Sequence, residues 1–393
     1  MKRVIRLYCG FQFFFPMLLW LPIFYEYQKR IGLSDPEIFR IQSVYYLLFL
    51  LLELPTGFFA DRWGYRLSLK TGSWVLLISN LLPIFFKNYP GFLLHFALIA
   101  LSRSLISGAA NAYLYEFLKF HGAEEEYKRA EGNARAYGLV GKVVCWAGVG
   151  AMMQWHMTLP YWLTALCAGL ALLFARQLPD HFFGRERKKP QYIGPILKAL
   201  RDSPLLVLIM IQGTGIFVLS RIVQVNLYQP ILNAKSFDLV SHGWIMSLMT
   251  LAEAAGSASP HWVRRVLSDM AAVFVLTAAV ALCLSWIALS PKGAALAGLL
   301  ALAYAMGLAY PIQRKLLNDA IADGSTRAVL LSTESIIDRA ACAMVAPFVG
   351  GFVAAGRISP FLNILAFATI LLMLILAAAL PAARKSSVNY VNA

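Results

Sequence analysis

Apolar residues in this chain do not alternate with polar ones; they run. The stretch YYLLFLLLELPTGFFA at residues 45–60 is representative, and comparable runs recur along the whole length. A helix needs about 20 predominantly apolar residues to cross the hydrocarbon core of a bilayer, whereas a membrane β-barrel alternates at period two. The pattern therefore predicts an all-α membrane protein. Twelve transmembrane helices are expected, at about 5–28, 38–60, 67–87, 91–118, 133–154, 159–177, 204–228, 241–261, 270–289, 294–313, 328–354 and 359–381. Every connection is short except the middle one, which carries GRERKKP. The expected organisation is a six-helix bundle over 1–177, a cytoplasmic basic linker over 178–203, and a second six-helix bundle over 204–393.

Composition agrees with the pattern. Only 14% of residues are charged and 59% are hydrophobic, with a mean hydropathy of +0.64. Water-soluble domains carry about 25% charged residues. The net charge of +15 has a topological explanation: with a cytoplasmic N-terminus, cytoplasmic segments hold 24 Lys and Arg against seven on the other side. By the positive-inside rule both termini are cytoplasmic, and no nucleic-acid partner is needed to account for the charge. MKRVIR followed by FFFPMLLWLPIFYEY lacks a small-residue cleavage site and reads as a retained first span. All five cysteines fall within spans without CxxC spacing, and the histidines show no metal spacing. Neither disulfide, metal nor cofactor is implied. No phosphate-cradling GxxxxGK[ST] loop and no nucleophile–base constellation is visible, so an enzyme is not expected.

Between spans 2 and 3 stands Gly57-x-x-x-Asp61-Arg62-x-Gly64-x-Arg66. In this topology the motif resembles the signature loop of the major facilitator superfamily, with Tyr65 at a position that is usually basic. The resemblance extends to the twelve spans, the central basic linker and the cytoplasmic termini, and it implies two pseudo-symmetric six-helix bundles, the major facilitator fold. In that family the loop resembles a clasp between the halves. Glycines at 57 and 64 suit close approach and a turn with positive φ, and Asp61 suits a helix N-terminus or a basic partner. Arg103-x-x-x-x-Gly108 in span 4 resembles the family's second motif, an arginine facing the central cavity and linked to proton coupling. The fifth span, YGLVGKVVCWAGVGAMM, has the glycines of the antiporter motif but not its proline. Two connections, EFLKFHGAEEEYKRAEGNARAYG and LLNDAIADGSTRAVLLSTES, resemble those of a bacterial branch rich in efflux proteins.

An offset of 200 residues sets Glu53 over Glu253. Each lies about eight residues from its cytoplasmic helix end, roughly 12 Å deep at about 1.5 Å per residue, where a carboxylate must pair, face water or be protonated. Lys142, Asp338 and Arg339 lie at similar depth. The helix arrangement the resemblance implies then suggests two gate pairs, Glu53 with Arg339 and Glu253 with Lys142, that a proton on either acid would release. Gln12, Arg103, Asn111, Gln212, Arg221, Gln224, Asn226 and Tyr304 are candidate cavity residues, and Glu116 belongs to cavity or gate.

The expected function is secondary active transport of a small organic solute by alternating access, in a monomer of a bacterial cytoplasmic membrane, with protons and the lipid bilayer as partners. Proton-coupled export of an amphipathic metabolite, drug or siderophore fits the branch resemblance. Transport of an organic anion by proton symport fits the buried bases Arg103, Lys142, Arg221 and Arg339. A non-transporting sensor of the same fold is the alternative from another class.

Overall fold

A computed structural model describes residues 1–180, 200, 201, 203–321 and 327–391. The linker motif GRERKKP, and part of the connection at 316–335, lie outside the described residues. Among those described, the chain is helical with short turns and no strand. The helices are α1 (Lys2–Phe14), α2 (Phe24–Arg30), α3 (Asp35–Trp63), α4 (Tyr65–Phe85), α5 (Tyr89–Phe120), α6 (Tyr127–Ala147), α7 (Val149–Trp155) and α8 (Leu159–Gln177). They continue as α9 (Pro204–Arg221), α10 (Tyr228–Ala234), α11 (Leu239–Ala258), α12 (Pro260–Arg264), α13 (Asp269–Leu289), α14 (Lys292–Ala320), α15 (Arg327–Ala354) and α16 (Ile358–Val391).

Helix falls at all twelve expected positions, with differences in continuity. Nine helices among the described residues are long and apolar enough to cross a membrane, and α6 with α7 forms a tenth span bent by 43°. The first expected span is broken: α1 ends at Phe14 and α2 begins at Phe24, with a 3₁₀ turn at Leu21–Ile23 between them. Pro16 and Pro22 lie in this break; proline removes a backbone donor and crowds the preceding turn. The seventh span stays continuous by a different device, a π-helical turn at Ile222–Leu227 joining α9 to α10.

Local chemistry sets the helix ends. Ser34 starts α3, its amide and hydroxyl both reaching Glu37 Oε2 at 2.8 and 2.6 Å. The Asn88 side chain accepts from Gly91 N at 2.9 Å to start α5. Gly64, at φ 106°, makes the one-residue turn from α3 into α4, a conformation that a Cβ disfavours.

Backbone contacts divide the chain into two units, described separately. The first is Met1–Arg187 with Asp238–Ser247 and Ala343–Gly351; the second is Lys188–Phe237, Leu248–Cys342 and Phe352–Ala393. The units therefore depart from a simple split of the chain into halves. Glycines explain how the two short stretches join the first unit. A Cβ at Gly150 would fall on the backbone of Leu239 and Val240, and one at Gly243 on the carbonyl of Trp146. Ser247 Oγ donates to Val143 O at 2.7 Å, and Ser43 Oγ to Ala343 O at 2.6 Å.

In the first unit α4 packs on α5 and α8, α3 on α5, and α1 on α6 and α8. Its core includes an aromatic cluster of Trp20, Tyr27, Phe92, His95, Phe96 and Tyr161. Several of its polar atoms are satisfied internally: Trp20 Nε1 donates to Asn80 Oδ1 at 2.6 Å, and the Tyr27 hydroxyl to Pro83 O at 2.8 Å. In the second unit α13 packs on α14 and α16, and α9 on α14 and α16. Leu54, Phe58, Leu282 and Phe367 are each more than 60% exposed, and large exposed apolar area marks a surface that needs cover. A bilayer supplies it.

Candidate functional site

Burying a charge inside apolar helices is costly, so paired charges there point to function. The described residues hold two such clusters, one in each unit.

In the first unit the cluster joins α1 to α6. Glu131 is 8% exposed. Its Oε2 accepts from the Tyr8 hydroxyl at 2.8 Å, and its Oε1 from Arg135 Nε at 2.7 Å. Gln12 Nε2 donates to the Tyr8 oxygen at 2.8 Å, completing a chain from amide to phenol to carboxylate to guanidinium. Gln12 was expected here; Tyr8, Glu131 and Arg135 were not. The sequence reading placed Glu131 in a connection, whereas α6 begins at Tyr127 and carries it inward. The spacing Tyr127–Glu131–Arg135 was the available signal, since residues four apart share a helix face.

In the second unit the cluster stands on α15, where Glu334 and Asp338 lie one turn apart on the same face. Asp338 Oδ2 accepts from Arg221 Nη2 at 2.7 Å, and Glu334 Oε2 from Arg314 Nη1 at 2.7 Å. The acids' side chains are 5% and 1% exposed, the arginines' 37% and 30%. The Arg314 guanidinium also lies 5.0 Å from the ring centre of Phe217 and 5.5 Å from that of Tyr310, a cation held between two π faces. Gly213 permits this packing, because a Cβ there would fall on Gln313 Nε2 and Glu334 Oε1. Around the pairs, Gln212 Nε2 donates to Thr277 Oγ1 at 3.0 Å and Gln313 Nε2 to Ile209 O at 2.9 Å. Cys342 Sγ lies 3.7 Å from Asp338 Oδ1. The structure thus joins Asp338, expected in a gate, to Arg221, expected in the cavity. Glu334 and Arg314 had not been singled out.

The other candidates are placed as follows. Arg103 is exposed on α5 with Ser107, Asn111 and Tyr115 at four-residue spacing on its face. Asn226 is fully buried in the π-helical turn, and Gln224 Nε2 reaches Met306 Sδ at 3.5 Å. Tyr304 is 40% exposed and its hydroxyl lies 3.1 Å from Ser259 Oγ, away from the acid–arginine pairs. In the loop between α3 and α4, Arg66 donates to Asp180 Oδ2 at 2.9 Å and to Arg176 O at 2.6 Å. Asp61, Arg62 and Gly57 are exposed there. Glu53 and Lys142 belong to the first unit, where the Lys142 ammonium lies 5.9 Å over the Trp146 ring. Glu253 and Arg339 belong to the second. Glu253 borders a pocket of about 20 Å³ with Phe217, Ser220 and Tyr310, enough for one water.

Comparison with known proteins assigns the fold to a family. The nucleoside transporter NupG superimposes with a TM-score of 0.76 at 15% identity, covering 96% of this chain and 98% of that one. Its D323A mutant gives 0.79 at 14%, covering 96% and 99%. A POT family transporter in complex with a thioalcohol-conjugated peptide gives 0.75 at 13%, covering 97% and 95%. No curated protein matches the chain. The sequence profile of the Major Facilitator Superfamily matches residues 6–336. With its helices at the twelve expected positions, this multi-pass membrane protein belongs to the major facilitator superfamily of transporters.

Proposed function

We propose that the protein is a proton-coupled exporter that moves an amphipathic organic solute, such as a metabolite, drug or siderophore, out of a bacterial cytoplasm by alternating access. It works as a monomer with both termini inside. The observation that carries the reading is the pair of acids on α15, each buried, each held by one arginine at 2.7 Å. A proton reaching either acid cancels its charge and frees its arginine; loss of the proton restores the pair. Such a group has two states that differ in what the surrounding helices must satisfy, which is what coupling requires. The arginines of this cluster are already neutralised by acids, so an apolar or cationic solute body meets no uncompensated positive charge there. In the same reading the loop at Gly57, Asp61, Arg62, Gly64 and Arg66 is the conformational clasp, and Glu53–Arg339 and Glu253–Lys142 are the gate pairs. Gln12, Arg103, Asn111, Gln212, Arg221, Asn226 and Tyr304 contact the solute.

One observation favours a second reading, transport of an organic anion. The exposed Arg103 makes no side-chain hydrogen bond or ion pair among the described residues, and a guanidinium suits a carboxylate or phosphate.

The test is proton flux in reconstituted vesicles under imposed pH gradients. The panel holds cationic dyes, anionic chelators, nucleosides and small peptides. Solute-dependent proton movement, lost in Glu334→Gln or Asp338→Asn, is the expected outcome. Solute movement with no proton flux in the parent sinks the coupling; response to anions alone, lost in Arg103→Gln, selects the second reading.

A further inference from the structure

The second unit has an apolar groove that the transport reading does not use. It runs between α9, α15 and α16, encloses about 460 Å³, and is lined by residues including Val207, Ile211, Gly215, Ile337, Ala341 and Leu372. An apolar cavity of about 150 Å³ is already large enough to stay dry and take up benzene, so this one is built for something larger. No charged side chain lines it; Thr214 and Thr369 are its polar ones, and the Thr369 hydroxyl already donates to Leu365 O at 2.7 Å.

The sequence repeat shows that the groove is a specific feature. At an offset of 200, Gln12-Phe13-Phe14-Phe15 of the first half stands over Gln212-Gly213-Thr214-Gly215 of the second. In the first unit the wedge between α1, α6 and α8 is filled by those rings. Phe14 stacks on Phe174 of α8 at 5.8 Å and meets Phe13 at 4.9 Å, and a Cβ at Gly141 of α6 would strike Phe13 and Met17. In the second unit Gly-Thr-Gly leaves the matching wedge open. A Cβ at Gly215 would make only an ordinary contact, 3.5 Å from Leu372.

We propose that the groove holds one acyl chain of a phospholipid as a fixed constituent of the protein. Length argues for this occupant. From Val207 to Leu219 the groove follows α9 for twelve residues, about 18 Å at about 1.5 Å per residue, close to half of a hydrocarbon core about 30 Å thick. That is the reach of one chain in one leaflet. Charge argues for it as well: Leu200 lines the end of the groove and the next residue, Arg201, is exposed, placed to meet a headgroup phosphate. With α9 entering from the cytoplasmic side, the lipid belongs to the inner leaflet.

The test uses the full chain in phosphatidylethanolamine vesicles containing phosphatidylglycerol with a diazirine in its acyl chain. Photocross-links are mapped by mass spectrometry. In the parent, adducts on Ile211, Val218 and Ile337 should outlast a chase with unlabelled lipid that removes those on the exposed α16 residues Phe367 and Leu374. Groove adducts should be lost in Gly215→Leu and Ala341→Leu, which refill the wedge, while the α16 adducts stay. Arg201→Gln should speed the chase. Groove adducts that chase as fast as those on α16 in the parent overturn the proposal whether or not the variants fold. Adducts undiminished in folded variants, or removed by a transported solute instead of by lipid, overturn it too.

Discussion

Replacing Arg314 by Gln isolates the energetics of the buried cluster. At 2.7 Å from Glu334 the gross attraction is about 6 kcal/mol at an effective dielectric constant of about 20. Desolvation of both ions offsets much of this, and removal of one partner from a buried pair costs about 3–5 kcal/mol, because the other charge stays behind. Arg314 keeps 30% of its side chain exposed, so the lower end, about 3 kcal/mol, is the expected loss. Glu334→Gln added to Arg314→Gln should recover most of that loss, since neutral groups in place of both ions leave no stranded carboxylate. Arg314→Lys keeps the charge but loses the planar stack on Phe217 and Tyr310, for a further expected cost of about 1 kcal/mol. The assay is unfolding of the purified protein in detergent across the four variants, read as a double-mutant cycle with a coupling of about 2 kcal/mol or more. A double variant whose loss equals the sum of the two single losses refutes the reasoning, because the pair then contributes nothing as a pair.

Three further outcomes follow from geometry already described. Tyr8→Phe removes the hydrogen bonds to Glu131 and from Gln12, and should cost about 1–3 kcal/mol in the same unfolding assay because the buried carboxylate loses a donor. Gly213→Ala places a methyl on Gln313 and Glu334; overpacking of about 1–3 kcal/mol and reduced transport are expected, and unchanged unfolding contradicts the close approach. For the proposed gate, Glu53→Arg and Arg339→Glu should each abolish solute uptake into vesicles and together restore part of it; no rescue by the double exchange counts against that pair.

The fold was largely legible because a bilayer imposes length and apolarity on each crossing, and both can be read from one sequence. The clasp was legible for another reason: Gly64 must take positive φ, and that requirement selects the residue. The breaks at Phe15–Trp20 and Ile222–Leu227 were not legible, since hydropathy is blind to the backbone hydrogen bonds that fail there. Within the site, Gln12, Arg221 and Asp338 were found from depth alone. Glu131 and Glu334 were missed because each sits near polar residues that read as a connection, and a helix extended by one or two turns carries such a residue from the surface inward. Which arginine meets which acid is a property of three helices at once, and periodicity within one helix does not contain it.

The π-helical turn at Ile222–Leu227 also determines what the seventh span tolerates. Each residue of an α-helix advances about 100° around the axis, and a π turn absorbs one extra residue without opening the helix. Deleting any single residue there should therefore leave a continuous helix but rotate all that follows by about a third of a turn. Tyr228, Gln229, Pro230, Ile231 and Leu232 are all buried, so no face of α10 is free to accept the new phase. The span is keyed by its length: point substitutions in the turn meet only local packing, whereas a one-residue deletion misaligns the whole outer segment.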